Sequence, residues 1–429
     1  MSERIILTLL SVFLLFGVVS CDQLLGSKND DITDEIFEEG KQDPLTVVDE
    51  VAYAALVPFW DELSGYDFDA PTDVFVGYDE LVYVTDAIGL HVLDRAGRKY
   101  DVIEIEGGAT SVTQDRLLNV YVTARFDTVI TAVDPEKAWN LAAVYKIKNA
   151  NGAGEVEIID KLIHPFMDNS RSNTNSQQFR LDTTRIDNEE FVELTSVAVL
   201  SDNDIYITRK GPRNRTGEAI APDNTVLVFS ENSSGKMRNT SQIRTLNPTN
   251  PSFLSGISIN DITTLIGPPQ RENISEDLSF IIAQGAPERD IPFRVLWVSA
   301  VQTVDGLEYR PNSSLLSQDT SRAESFLYDQ YKFENPSGVA YSADANGYVF
   351  IVDQGTDSLY MFQSNGFEGI NPPPGSVTTK AINVSFGGFG DEERQFNNPS
   401  GVAYFREIVY VADTGNNRIA RYKLTTDFE

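Results

Sequence analysis

The chain has 429 residues, and its 41% hydrophobic content can build a large buried core, which excludes wholesale disorder. Lys and Arg total 34 against 64 Asp and Glu, and the resulting net charge of −30 repels phosphate backbones and excludes nucleic acid as a partner. The single cysteine, Cys21, rules out an intrachain disulfide and a cysteine-based zinc site, and two histidines, His91 and His164, leave little scope for histidine-rich metal chemistry.

From the N-terminus, Ile5–Val19 is an almost unbroken apolar run behind Arg4. It is too short to span a bilayer comfortably, and its flanks suit a signal peptide. The run ends Val18-Val19-Ser20-Cys21, with small residues just before the only cysteine. This resembles a bacterial lipoprotein signal with its lipobox. The resemblance implies that residues 1–20 are removed and that Cys21 is acylated on sulfur and on its new amino group. Several acyl chains anchor a protein stably, since each buried methylene contributes about 0.8 kcal/mol. The expected partner is thus a membrane, and the expected place is the cell envelope, extracytoplasmic, at the outer membrane or cell surface or else on the outer face of the inner membrane. Residues 21–43 then form the lipidated cysteine and a polar tether, whose eight acidic residues and two lysines from Asp22 to Asp43 mark a solvated spacer.

Residues 44–429 are dominated by self-similarity. The last copy reads Phe396-Asn-Asn-Pro399-Ser-Gly-Val402-Ala-Tyr404 and then Ile408-Val-Tyr-Val-Ala-Asp413-Thr-Gly-Asn-Asn-Arg418-Ile-Ala-Arg-Tyr422. Its predecessor reads Phe333-Glu-Asn-Pro336-Ser-Gly-Val339-Ala-Tyr341 and then Val349-Phe-Ile-Val-Asp353. A third, Phe68-Asp-Ala-Pro71-Thr-Asp-Val74, leads into Leu81-Val-Tyr-Val-Thr-Asp86. Weaker copies are Ala109-Thr-Ser-Val112, Leu194-Thr-Ser-Val197 and Leu254-Ser-Gly-Ile257. The six copies recur about every 66 residues, and each carries strand-type apolar runs between Gly, Asn and Asp turns.

Strand A follows the Pro-Ser-Gly element and strand B is the Val-Tyr-Val type. Strand C is expected at Leu90–Leu93, Ala143–Tyr145, Val226–Phe229, Arg294–Trp297, Leu359–Phe362 and Ile419–Tyr422, and strand D at Asp101–Ile105 and Ala381–Ser385. In the fourth copy strand B falls at Leu265-Ile266 or at Phe280–Ala283. Six repeats of four antiparallel strands describe an all-β, six-bladed β-propeller. The last copy has sequence left for only three strands, so Thr46–Leu56 is expected to supply the fourth and close the ring. The two C-terminal copies are similar to the NHL repeat, and six blades are what that resemblance implies.

Asp413, Asn417 and Arg418 sit where a tight B–C turn needs side-chain hydrogen bonds, and Gly338 and Gly401 where strands approach a crowded axis. Long polar insertions at Phe126–Leu141, Asp168–Glu190, Lys210–Asn224 and Gln284–Pro292 are expected as B–C and D–A loops building up one face. Among them Arg209, Lys210, Arg213 and Arg215 gather cations suited to carboxylate, sulfate or phosphate groups.

The sequence supports a lipid-anchored, non-catalytic binding or scaffolding module for a protein or carbohydrate ligand. A calcium-dependent hydrolase or lactonase is the alternative, with Asp86, Asp353 and Asp413 as weak candidates for a metal at the central channel. A carbohydrate-binding module is the second. Cys21→Ser should block acylation because thioether formation needs the thiolate. Labelling with a radioactive fatty acid checks this, and equal incorporation into the variant would refute it.

Overall fold

Neighbouring blades of a propeller stack face to face, so their inner strands are covered on both sides and need continuous rather than alternating apolar residues. Strands B behave this way. Val82–Thr85, Phe280–Gln284, Val349–Asp353 and Ile408–Asp413 are buried at every position. At the rim the demand relaxes, and strand D of blade one, Lys99–Glu104, is largely exposed.

The structure is a computed structural model that describes residues 51–130, 137–164, 190–211, 225–243, 258–268, 276–288, 290–374, 376 and 378–428. Cys21, the tether and the Leu254–Ile257 element lie outside the described residues. Those described form six four-stranded antiparallel sheets. Strands A run through Asp73–Val76, Ala109–Gln114, Glu193–Val199, Ile259–Thr264, Pro336–Tyr341 and Pro399–Phe405, one to a blade. Each touches the strands A on either side, and that of blade one touches that of blade six, so the ring is closed.

Three local expectations are corrected. Strand A of blade four is Ile259–Thr264 and its strand B is Phe280–Gln284, not Leu265-Ile266. In blade five, Ala381–Ser385 is not strand D. Ile382 pairs instead with Ile370, and the short segment Phe386–Gly387 pairs with Ser358 and Leu359. Phe126–Leu141 is not a plain loop, because strands B and C of blade two, Val120–Ile130 and Lys137–Lys148, continue as a two-stranded arm. The arm stays in register from Arg125↔Ala142 to Ile130↔Lys137, past the last pairings with strands A and D.

Ring closure follows the expectation. Tyr53–Ala55 is the outer strand of blade six, in register Tyr53↔Leu424, Ala54↔Lys423, Ala55↔Tyr422. The segment continues as a latch. Leu56 N donates to Arg421 O at 2.8 Å, and Trp60 and Ile419 exchange backbone hydrogen bonds. The Arg421 guanidinium lies 4.7 Å from the Trp60 ring and Arg418 lies 4.7 Å from Phe59. Such contacts add about 0.5–2 kcal/mol each when desolvated.

At the axis the repeated Pro-Ser-Gly element has a mechanical meaning. In five of the six blades the residue after the Pro position donates to a carbonyl at or just before strand A of the next blade. Thr72 donates to Ala109 O, Thr195 to Ile259 O, Asn260 to Pro336 O, Ser337 to Pro399 O and Ser400 to Thr72 O, at 2.6–3.0 Å. The Gly position allows close approach: a Cβ on Gly401 would fall 2.5 Å from Asp73 Oδ1, and one on Gly338 would fall 2.9 Å from Ser400 O.

Two truncations test the closure. Deleting residues 22–43 should leave the melting temperature unchanged. Extending the deletion to residue 58 removes hydrogen bonds worth about 0.5–1.5 kcal/mol each and the buried side chains of Tyr53 and Leu56. It should lower the melting temperature by many degrees, and equal melting of the two forms would show that the strand does not close the ring.

Candidate functional site

The repeated aspartates at the ends of strands B are tied into turns. Asp353 Oδ2 accepts from Glu334 N at 2.7 Å, while its Oδ1 accepts from Asn335 N and Gly355 N. Asp413 accepts from Asn397 N, Asn416 Nδ2 and Arg418 Nε, each at 2.8 Å. Asn417 sits in the left-handed region at φ 53° and completes the turn. Asp86 accepts from Asp69 N, Ile88 N and Gly89 N and lies 2.7 Å from His91 Nε2. Burial opposes ionisation of Asp86, but the His91 contact and the backbone amides prevail and hold its pKa below the usual carboxylate value. Each carboxylate joins a D–A link to its own B–C turn, and the three stand in blades one, five and six rather than around one point. Among the described residues, no three acidic, histidine or cysteine side chains converge as a metal site.

The four expected cations do not form one surface cluster among the described residues. Arg209 is buried, at 1% exposure, and its side chain is engaged within the protein. It takes the place, opposite Leu194, that Asp353 takes opposite Pro336 and Asp413 opposite Pro399. Lys210, the next residue, reaches the surface and pairs with Glu193 at 3.0 Å. Arg213 and Arg215 lie outside the described residues.

Lys210 also helps line a groove of about 470 Å³ on the face of the B–C and D–A connections, across blades three, four and five. Its walls include Phe191, Glu193, Asn260, Glu288, Asn335 and Gln354. Phe191 is 69% exposed, so this aromatic ring is presented to solvent rather than packed. Asn260 is partly committed to the ring, donating to Pro336 O at 2.9 Å. The groove thus offers one aromatic surface, amide groups and charges of both signs. Of the residues that line the groove, sequence reading had singled out Lys210; Phe191 and the amides carry no local motif that marks them.

A second concavity of about 80 Å³ lies in the central bore and opens toward the A–B turns, the opposite face. At one level of the bore the six strands A present Asp73, Ser111, Ser196, Asp261, Gly338 and Gly401, a belt the sequence reading passed over. Asp73 Oδ2 accepts from Val112 N at 2.9 Å and Asp261 Oδ2 from Val339 N at 2.7 Å, so each carboxylate also ties its blade to the next. Burial is the main cause that raises both pKa values, Asp73 well above the usual carboxylate value and Asp261 to about 6. The signal was visible: Pro71-Thr-Asp-Val74 and Ile259-Asn-Asp-Ile262 both place Asp where the strongest copies place Gly.

Comparison with known proteins locates the repeat family. Residues 396–422 match the NHL repeat. No curated protein sequence matches the chain. Among solved structures it is similar to an auxiliary nutrient binding protein from Bacteroides ovatus, at 12% identity over 87% of this chain and 77% of that one with a TM-score of 0.45. It is similar to a gluconolactonase from Xanthomonas campestris, at 8% identity over 90% and 93% with a TM-score of 0.45. It is also similar to an aldose sugar dehydrogenase from Streptomyces coelicolor, at 12% identity over 87% and 98% with a TM-score of 0.47.

The turn carboxylates yield a direct test. Asp353→Ala strands three backbone N–H groups, which should lower stability by roughly 2–4 kcal/mol in urea unfolding. Added calcium should neither raise the melting temperature of the wild type nor rescue the variant. A calcium-dependent rise in the wild type that Asp353→Ala abolishes would make the residue a metal ligand.

Proposed function

We propose that this six-bladed propeller, whose sixth blade carries an NHL repeat, is a lipid-anchored extracytoplasmic binding module that seats a polar ligand in the groove across blades three to five. The observation that carries the reading is the 470 Å³ groove itself, on the face of the B–C and D–A connections. Ligand sites combine an apolar surface with a few placed polar groups, and loops on a rigid scaffold commonly supply them. The anchor rests on the lipobox-like sequence that ends at Cys21.

Carbohydrate is the ligand class this chemistry favours. A sugar ring presents C–H faces that stack on an exposed aromatic ring such as Phe191. Its hydroxyls pair with planar amides and carboxylates such as Asn335, Gln354, Glu193 and Glu288. A hydrolase seated in the bore is supported less well: about 80 Å³ admits several waters but not a sugar or a lactone ring.

The test is binding of the full lipidated chain, in detergent, to a panel of immobilised oligosaccharides. Phe191→Ala should weaken capture tenfold or more while leaving the melting temperature unchanged, because the ring is exposed. No binding to any sugar by the wild type, or equal capture by the variant, would remove the carbohydrate reading. A protein captured through the same groove would then replace it.

A further inference from the structure

Strand B carries a buried tyrosine at the same register in four blades: Tyr83, Tyr121, Tyr206 and Tyr410. In three of them the hydroxyl has an acceptor. Tyr83 donates to Asp79 Oδ2 at 2.7 Å, Tyr121 to Asp115 Oδ2 at 3.1 Å and Tyr206 to Leu278 O at 3.0 Å. The Tyr410 hydroxyl is just as buried, yet no acceptor reaches it among the described residues. Blade six has Arg406 where blade one has Asp79, four residues before the tyrosine.

A second orphan stands beside it. Arg421 faces Tyr410 across strands B and C, as Lys146 faces Tyr121 in blade two. Blade two matches that pair with carboxylates: Asp115 takes the hydroxyl, and Glu231 of blade three takes the ammonium at 2.8 Å. Blade six lacks both partners. By the strand B–C pairings, blade one places Arg95 where blade three places Glu231. Arg421 is 8% exposed and its Nε–H is buried without an acceptor. No carboxylate lies within ion-pair reach of it among the described residues. The carboxylates of this seam serve other cations, since Asp94 accepts from Arg98 N and Nε while Glu80 holds Arg95 and Arg406. The Trp60 ring touches both orphans, 5.9 Å from the Tyr410 ring and 4.7 Å from the Arg421 guanidinium.

Two buried donors and a buried positive charge thus meet with nothing on this chain's described residues to accept or neutralise them. Tyr410 stays a donor, because burial pushes its pKa up to about 12. A water could accept both bonds but would leave the charge unmatched, whereas an anion accepts both and offsets it. We propose that the seam between blades six and one binds a small monovalent anion of halide size, held by Arg421 Nε and Tyr410 Oη beside the Trp60 ring. The depth of the site sets the size, since Tyr410 is 0% exposed. The net charge of −30 opposes the ion only through surface groups that salt screens. Arg421 Nη2 also donates to Leu56 O and Pro58 O, at 3.3 and 2.8 Å. The guanidinium that holds the anion therefore holds the latch, and the ion strengthens ring closure.

Crystals of the full chain in detergent, grown with sodium bromide, give the direct readout, because bromide scatters anomalously and water does not. An anomalous peak touching Tyr410 Oη and Arg421 Nε is expected, and its loss in Tyr410→Phe. Unfolding at fixed ionic strength, with chloride exchanged for the bulkier methanesulfonate, gives the second. Once chloride saturates the site, each tenfold increase should raise the wild-type folding equilibrium constant about tenfold. Tyr410→Phe should lose most of that dependence. Phenylalanine fits this register, as Phe350 does in blade five. Removing an orphan hydroxyl should leave the variant at least as stable as the wild type without chloride and less stable with it, a crossing that a purely structural tyrosine would not give. Water alone at the site, a carboxylate of this chain seated there, or equal chloride dependence in wild type and Tyr410→Phe overturns the proposal. Sugar capture does not enter either readout, so the site stands or falls apart from the groove.

Discussion

The structure depends on one contact repeated around the axis: a side chain at or just before strand A of one blade donating to a carbonyl at or just before strand A of the next. Ser337 to Pro399 and Ser400 to Thr72 are its clearest instances, at 2.6 Å each. Blades stacked only by apolar faces could slide or splay, because dispersion and burial are not directional. A hydrogen bond at the innermost strand fixes the height and angle of each blade against its neighbour. The proline before the donor serine lacks an N–H, so its carbonyl is the group left to receive the bond from the preceding blade. Pro-Ser-Gly is a joint, with the glycine removing the Cβ that would keep the joint from closing.

Because registration is achieved at the axis, the rim is free to vary. Strand D ranges from seven residues in blades two and three to two in blade five, where Phe386–Gly387 suffices. Blade two extends its B–C hairpin into an arm, and the aspartate that ties the turn in blades one, five and six gives way to Arg209 in blade three and Gln284 in blade four. The groove lies across blades three, four and five, so it adjoins two blades without the aspartate turn and one, blade five, that keeps it.

Much of this was legible in the sequence, and the failures share a cause. The blade count, the closure by Thr46–Leu56 and the roles of Gly338 and Gly401 could be read because they rest on local, repeated requirements of turn and axis. Strand A of blade four was misplaced because Leu254-Ser-Gly-Ile257 imitates the motif, while Ile259-Asn-Asp-Ile262 has neither the Pro nor the Gly. The structure shows which features matter there: Asn260 replaces Ser as the donor, reaching Pro336 O, and Asp261 replaces Gly. Arg209 read as a surface cation because charge predicts exposure. Its buried position follows instead from the strand B register, which a charge run does not reveal.

The residue at the Gly position sets what the axis can do. Glycine there only admits the neighbouring backbone, as Gly401 admits Asp73. Serine bridges two blades with one neutral bond, as Ser196 bridges to Asp261. Asp261 ties blade four to both neighbours, accepting from the Ser196 hydroxyl of blade three and the Val339 amide of blade five, in a bore whose lining carries no Lys, Arg or His among the described residues.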